Sequence, residues 1–343
     1  MATIREIAEL AGVSRGTVDR VLNRRGAVNP RTEAKIWEIA RALDYKPNRA
    51  GVVLAARKKN LMLGVVLFGR ENPFFDEVMQ GIRAKQEEFE SYNCTISVYQ
   101  VGESIDEQLH AIDELIREGM NGLALAPYND SRIIEKINEC EKSGIPVVTL
   151  NTDVPDSSRI AYVGSNYYHS GQTAAGLMSL MSAGIVHAGI VTGSPNILCH
   201  TERIAGFRQC LREKGGRIRI VDVILTGDDD IVSYNKTAKL LAEHPEINAL
   251  FFAAGGVYGG CRAIIDQNRQ NNMTVITFDD ITTTREFINT GIISATICQQ
   301  PQVQGAKPLD ILFTYLTTGE LPGQALNYTE VDIRIKENLT FHT

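Results

Sequence analysis

Arg15 and Arg20 fall on one side of a 3.6-residue period, together with Gly16 and Asp19. Val18, Val21 and Leu22 make up the other side, so this short helix would bury an apolar stripe and turn cations outward. Its positioning elements flank it. Ile4, Ile7, Ala8 and Ala11 recur at helical spacing, and Gly12 supplies the positive φ that a tight turn needs. Ser14 can cap the second helix. A third helix starts at Asn29-Pro30, a cap followed by proline at the first helical position, and buries Ile36, Ile39, Ala40 and Leu43, with Trp37 packing beside them. Helix, glycine turn and helix with a basic outer face is a helix-turn-helix, whose second helix enters the DNA major groove.

The alternative is a small helical bundle that binds a protein or nothing. Charge argues against it. Residues 1–60 hold 13 Lys and Arg against 6 acids, a net +7, while the 343-residue chain is −6, which leaves −13 for residues 61–343. A cationic head on an acidic body points to a polyanion partner. Six scattered cysteines without a C-x-x-C pair predict neither disulfides nor a metal site. No leader and no membrane-spanning apolar run is read, so a cytoplasmic protein is expected. Gly255–Gly260 follows a strand but matches no phosphate loop, and Asp228-Asp229-Asp230 reads as a solvated turn rather than a calcium loop. No nucleophile elbow, H-E-x-x-H or supported carboxylate pair is found, so neither an enzyme nor a cofactor is expected.

TIREIAELAGVSRGTVDRVLN, followed by VNPRTEAKIWEIARALDYKPNRA, resembles the headpiece of the lactose-repressor (LacI/GalR) family of regulators. The resemblance implies that Arg15, Gly16 and Arg20 occupy base-reading positions, where arginine can donate two bonds to guanine O6 and N7. Asp19 departs from the usual serine and would accept from a cytosine amino group or orient Arg15. Thr3, Ser14, Asn23 and Tyr45 fall where the family contacts phosphates. Asn48 to Ala55 matches the family's hinge helix, and Leu54 the leucine that wedges between central base pairs. With Gly51 and two adjacent valines, this hinge should fold only on the operator.

From residue 61 apolar strands alternate with helices in two successive runs, the pattern of two doubly wound parallel-sheet lobes. Ligands are then expected beyond the carboxyl ends of the strands. This body is similar to periplasmic sugar-binding proteins of the ribose-binding type. The similarity rests on ENPFF at 71–75, TLNT at 149–152, ERIAGF at 202–207, TFDD at 277–280 and ATICQQP at 295–301. It implies a headpiece at 1–47, a hinge and linker at 48–60, and an effector domain at 61–343. Lobe 1 would hold about 61–162 and 298–325, lobe 2 about 163–297 and 326–343, with crossovers near 162–166, 279–300 and 325.

The same resemblance assigns a ligand site. Asn72, Phe74 and Phe75 would form the first lobe's wall, joined by Asn151 and Thr152 where a charged pair is common. Arg203 would reach in from the second lobe beside Cys199 and His200, and Asp279 and Gln299 would bind hydroxyls. At Gly255 a hydroxyl contact would be lost or taken over by backbone N–H groups. The implied protein is a ligand-controlled repressor of sugar or polyol utilisation genes. A homodimer on a double-stranded operator would be released by a small-molecule inducer. A co-repressor would use the same parts, and a soluble sugar-binding protein with a non-functional headpiece is the rival.

Overall fold

The protein is described by a computed structural model over residues 3–22, 28–43, 60–70, 72–102, 104–214 and 216–339. Three short helices open the chain: α1 (Ile4–Ala11), α2 (Arg15–Leu22) and α3 (Pro30–Ala42). Thr3 and Glu6 cap α1 reciprocally, and Gly12 ends it at φ 71°. Ile7, Ala8, Ala11, Val18, Val21, Leu22, Ile36 and Ala40 form the core, against which Ile4, Trp37, Ile39 and Leu43 pack half-buried. Lys35 Nζ ties α3 to α1 by donating to the Ala11 carbonyl at 3.0 Å.

The body begins with β1 (Leu61–Leu67), α4 (Phe74–Glu90), β2 (Cys94–Gln100), α5 (Ile105–Arg117), β3 (Gly122–Leu125), α6 (Ser131–Lys142), β4 (Val147–Leu150) and β5 (Ala161–Gly164). It then runs through α7 (Tyr167–Met181), β6 (Val186–Thr192), α8 (Leu198–Lys214), β7 (Ile218–Leu225), α9 (Asp230–Glu243), β8 (Ala249–Phe252), α10 (Val257–Asp266), β9 (Thr274–Phe278), α11 (Thr282–Asn289) and β10 (Ala295–Cys298). The last elements are α12 (Pro301–Thr318), β11 (Leu326–Tyr328) and β12 (Asp332–Arg334). Two six-stranded sheets result, in the orders β11-β5-β4-β3-β1-β2 and β12-β10-β9-β8-β6-β7. All pairings are parallel except the antiparallel β10–β12 edge. Helices cover both faces, so β8 (ALFF) is buried throughout and β1 (LMLGVVL) at every residue but Met62.

One boundary of the expected lobes is corrected by the sheet pairing. α12 packs into the first lobe through Leu309, Leu312 and Phe313. Leu326–Tyr328, however, pairs with β5 in the first sheet, so the third crossover falls at residues 329–331 and not near 325. Backbone bonds from the Tyr162 N–H to the Ala325 carbonyl at 2.8 Å and from the Thr329 N–H to the Gly164 carbonyl at 2.9 Å hold this stretch on that sheet's edge.

One segment crosses the lobes. Ile197 and Cys199, from the loop after β6 and the start of α8, are buried within the first lobe's hydrophobic core. Beside them the Asn129 N–H donates to the Asn196 carbonyl at 2.8 Å. The second lobe thus seats an apolar plug in the first.

Candidate functional site

The loops at the carboxyl ends of the strands converge on one cleft between the sheets. Its wall contains Asn72, Phe74 and Phe75 after β1, Asn151 after β4, His200 and Arg203 on α8, and Gly255 after β8. Asp279 after β9 and Gln299 after β10 complete it. Nine of the ten ligand-binding residues proposed from the sequence are therefore brought together.

Phe74 and Phe75 are buried and meet edge to face at 5.4 Å, while Phe75 stands edge-on to Phe68 at 5.1 Å. The Asn72 carboxamide oxygen accepts the Phe74 N–H at 3.0 Å, fixing the start of α4. This is an aromatic floor of the kind that lies under the C–H face of a sugar. Asn151 takes the left-handed conformation (φ 60°), which asparagine tolerates better than most residues. Its Nδ2 donates to Tyr167 Oη and Gln304 Oε1, both at 3.3 Å.

Thr152 departs from expectation. It is fully buried and does not line the cleft. A tight turn, closed by the Thr152 N–H on the Leu150 carbonyl at 2.7 Å, leaves only one of the two neighbours facing the ligand space.

Arg203 is 3% exposed. Its guanidinium lies 3.7 Å from the Phe278 ring centroid and 4.8 Å from that of Tyr167, and Nη1 donates to the Ala253 carbonyl at 2.9 Å. Aromatic faces stabilise a desolvated guanidinium. The helix carrying it approaches α7 closely because two glycines face each other's backbone. A Cβ on Gly171 would lie 1.9 Å from the Arg203 carbonyl oxygen, and one on Gly206 1.9 Å from that of Tyr168.

Asp279 also adopts a left-handed φ, 69°. Its N–H donates to the Ile297 carbonyl, and Gln299 Nε2 donates to its Oδ1 at 2.7 Å. Burial raises the carboxyl to about 6, although Arg203 and the Gln299 bond pull it back. Two buried atoms of the site, Arg203 Nε and Gln299 Oε1, have no hydrogen-bond partner among the described residues. Such atoms are costly unless a ligand satisfies them.

Sequence reasoning misplaced Asp228. Asp229 and Asp230 are exposed, as a solvated turn requires, and cap the Val232 and Gly259 N–H groups. Asp228 instead lines the cleft in a left-handed conformation (φ 61°). It accepts the Gly255 N–H at 2.7 Å and stands 3.8 Å from His200 Nε2. The Gly255 N–H is thus already donated, so it cannot replace a lost side-chain contact to ligand. Phe68, Ala254, Val257, Phe278 and Ile281 line the cleft as well. Phe68, Ala254 and Phe278 lie in or close to the apolar strand ends, a signal that could have found them.

The enclosed space measures about 50 Å³, and a neighbouring crevice of about 160 Å³ shares Phe74, Asp279, Ile281 and Gln299 with it. Both fall below the roughly 300–1,000 Å³ of small-molecule sites.

The candidate nucleic-acid face lies on α2. Ser14, Arg15, Gly16 and Arg20 are exposed and Asp19 is half-buried. Ser14 Oγ accepts the Thr17 N–H at 3.1 Å, and Arg20 Nε donates to the Gly16 carbonyl at 3.2 Å. Thr3 is engaged in the α1 cap. Asn23, Tyr45, Asn48 and Leu54, with the expected hinge helix, lie outside the described residues.

Residues 63–321 match the periplasmic binding protein domain family. The chain belongs to that family. Residues 3–48 match the bacterial regulatory proteins of the lacI family. Catabolite control protein A of Priestia megaterium is 28% identical over 81% of this chain and 82% of its own. The ribose operon repressor of Halalkalibacterium halodurans is 25% identical over 88% and 86%. Among solved structures, GanP, a glucose-galactose binding protein from Geobacillus stearothermophilus, superimposes with a TM-score of 0.76 at 25% identity, covering 82% of this chain and 99% of that one. A lacI-family DNA-binding region joined to a periplasmic-binding-protein body makes this member of the family a ligand-controlled, DNA-binding transcriptional regulator.

Proposed function

We propose that this regulator represses sugar or polyol utilisation genes and is released from its operator when an inducer binds between the lobes. The observation that carries the reading is the convergence of nine separately encoded residues on one cleft, with an aromatic floor from lobe 1 and Arg203 from lobe 2. Asp279 accepts two neighbouring hydroxyls, Gln299 both donates and accepts, and Phe74 and Phe75 cover an apolar ring face. On α2, Arg15 and Arg20 read bases, while Ser14 and Thr3 position the headpiece on phosphates. Two copies act together as a cytoplasmic homodimer, because a two-fold operator demands a two-fold protein. The ribose operon repressor among the relatives supports the reading of this chain as a repressor.

The test is Asp279→Ala in the full chain, with operator binding followed by fluorescence anisotropy. Operator affinity should stay within about twofold while the response to inducer disappears, a separation of sites that defines allosteric coupling. A variant that still responded fully would remove Asp279 from the ligand site. A wild-type chain that bound sugar but no duplex would be a sugar-binding protein with an idle headpiece.

A further inference from the structure

The second lobe's wall of the cleft holds two hydrogen-bond acceptors that face each other across a gap. His200 Nδ1 lies 3.3 Å from the Ser194 carbonyl oxygen, and a carbonyl can only accept, so Nδ1 carries the ring proton. Nε2 then presents a lone pair. Opposite it, 3.8 Å away, stands Asp228 Oδ2, too far for a direct hydrogen bond. Burial holds His200 below its usual value, which keeps the ring neutral near pH 7 even with Asp228 beside it.

This arrangement is built. Asp228 is anchored through Oδ1 by the Gly255 N–H, and His200 is 6% exposed. Gly193 makes room for both, since a Cβ there would lie 2.5 Å from Asp228 Oδ1 and 2.7 Å from His200 Cε1. The charge of the cleft points the same way. Two carboxylates, Asp228 and Asp279, line it against one guanidinium, whose faces are covered by Phe278 and Tyr167. A phosphorylated or acidic sugar would meet two like charges there.

We propose that the effector is an aminated polyol, an amino sugar or aminocyclitol, whose ammonium bridges Asp228 and His200. The inference rests on the reading of the cleft as a polyol site. A hydroxyl carries one hydrogen and satisfies one of the two acceptors, whereas an ammonium carries three and satisfies both. A nitrogen about 2.8–3.0 Å from each acceptor fits a gap of this width, and its bond to Asp228 is charge-assisted.

Calorimetric titration of the purified full chain at neutral pH tests this with matched sets. These are glucosamine, glucose and N-acetylglucosamine; galactosamine, galactose and N-acetylgalactosamine; and an aminocyclitol with its parent cyclitol. At least one free amine should bind tenfold or more tightly than both its hydroxyl parent and its acetylated form, about 1.4 kcal/mol. Asp228→Asn keeps an acceptor for the Gly255 N–H but removes the charge, and should abolish that preference. His200→Phe removes the second acceptor and gives an independent arm should the first variant not fold. Parents binding as tightly as their amines, or a preference that survives both substitutions, would overturn the inference while leaving the polyol site intact. If no member of any set binds, the polyol reading itself fails with it.

Discussion

Asp279 shows how one buried side chain can set the chemistry of the site. Its carboxyl titrates at about 6, above the ordinary aspartate range, because burial outweighs the attraction of Arg203 and the bond from Gln299. A folded-state value above the unfolded one means that its contribution to stability is full at low pH and is lost as pH rises through about 6. A polyol chelated by the ionised carboxylate reverses that cost, so binding must expel the proton. Effector affinity should therefore rise several-fold from about pH 5 through about pH 6 and be level by about pH 7, with proton release on the acid side seen as a buffer-dependent heat. Protonation of His200, whose own value burial lowers, acts in the same direction on the acid side. Asp279→Asn should flatten the Asp279 part of the profile. An unchanged profile would mean that the ligand does not engage this carboxylate.

At the scale of elements, the loop between β6 and α8 does more than connect them. Ile197 is fully buried although it belongs to the second lobe and packs in the first. Burying an isoleucine is worth about 1.5–3 kcal/mol, and truncating one to alanine commonly costs about 2–5. That energy is available only to a form in which the lobes are together. Ile197→Ala should thus favour the open form, raising the radius of gyration in small-angle scattering and weakening effector binding on the order of tenfold or more. A variant unchanged in both would show that Ile197 is equally well packed in either state. The α7–α8 pair that carries Arg203 is a rigid partner to this plug, since Gly171 and Gly206 hold the helices at backbone contact.

For the whole molecule, the two functions are separated by charge. Residues 1–60, headpiece with hinge and linker, are +7 and residues 61–343 are −13. Operator affinity should fall linearly in log–log form with salt, at a slope near −0.9 per phosphate contacted. Arg20→Ala should cost about 1–3 kcal/mol at one operator base pair and relax base preference there, whereas loss of a phosphate contact would weaken all duplexes alike. Arg20 rests on the Gly16 carbonyl in the free protein, a bond it must give up to reach a base. If the variant bound every duplex with unchanged ranking, α2 would not be the reading helix. Coupling between cleft and headpiece of about 1–3 kcal/mol, typical of such proteins, would be enough to loosen an operator complex, and operator must weaken inducer by the same factor.

The amino-acid sequence by itself determined the helix-turn-helix, the two runs of parallel strands and most of the cleft wall. Each of these is encoded locally: a cap and a glycine for α1, an apolar stripe for α2, a buried apolar run for each strand, and a loop after it that the parallel fold delivers to the same end. Only the tertiary structure decided that Asp228 lines the cleft and Thr152 does not, that Ile197 crosses into the other lobe, and that residues 326–328 stay in the first sheet. These outcomes turn on a left-handed φ at Asp228, one tight turn at Thr152, and contacts between residues far apart in the chain, such as Asp228 with Gly255 and Asn129 with Asn196. Hydrophobic period and residue type carry no record of such long-range choices, because their energy exists only once the two lobes have folded and met.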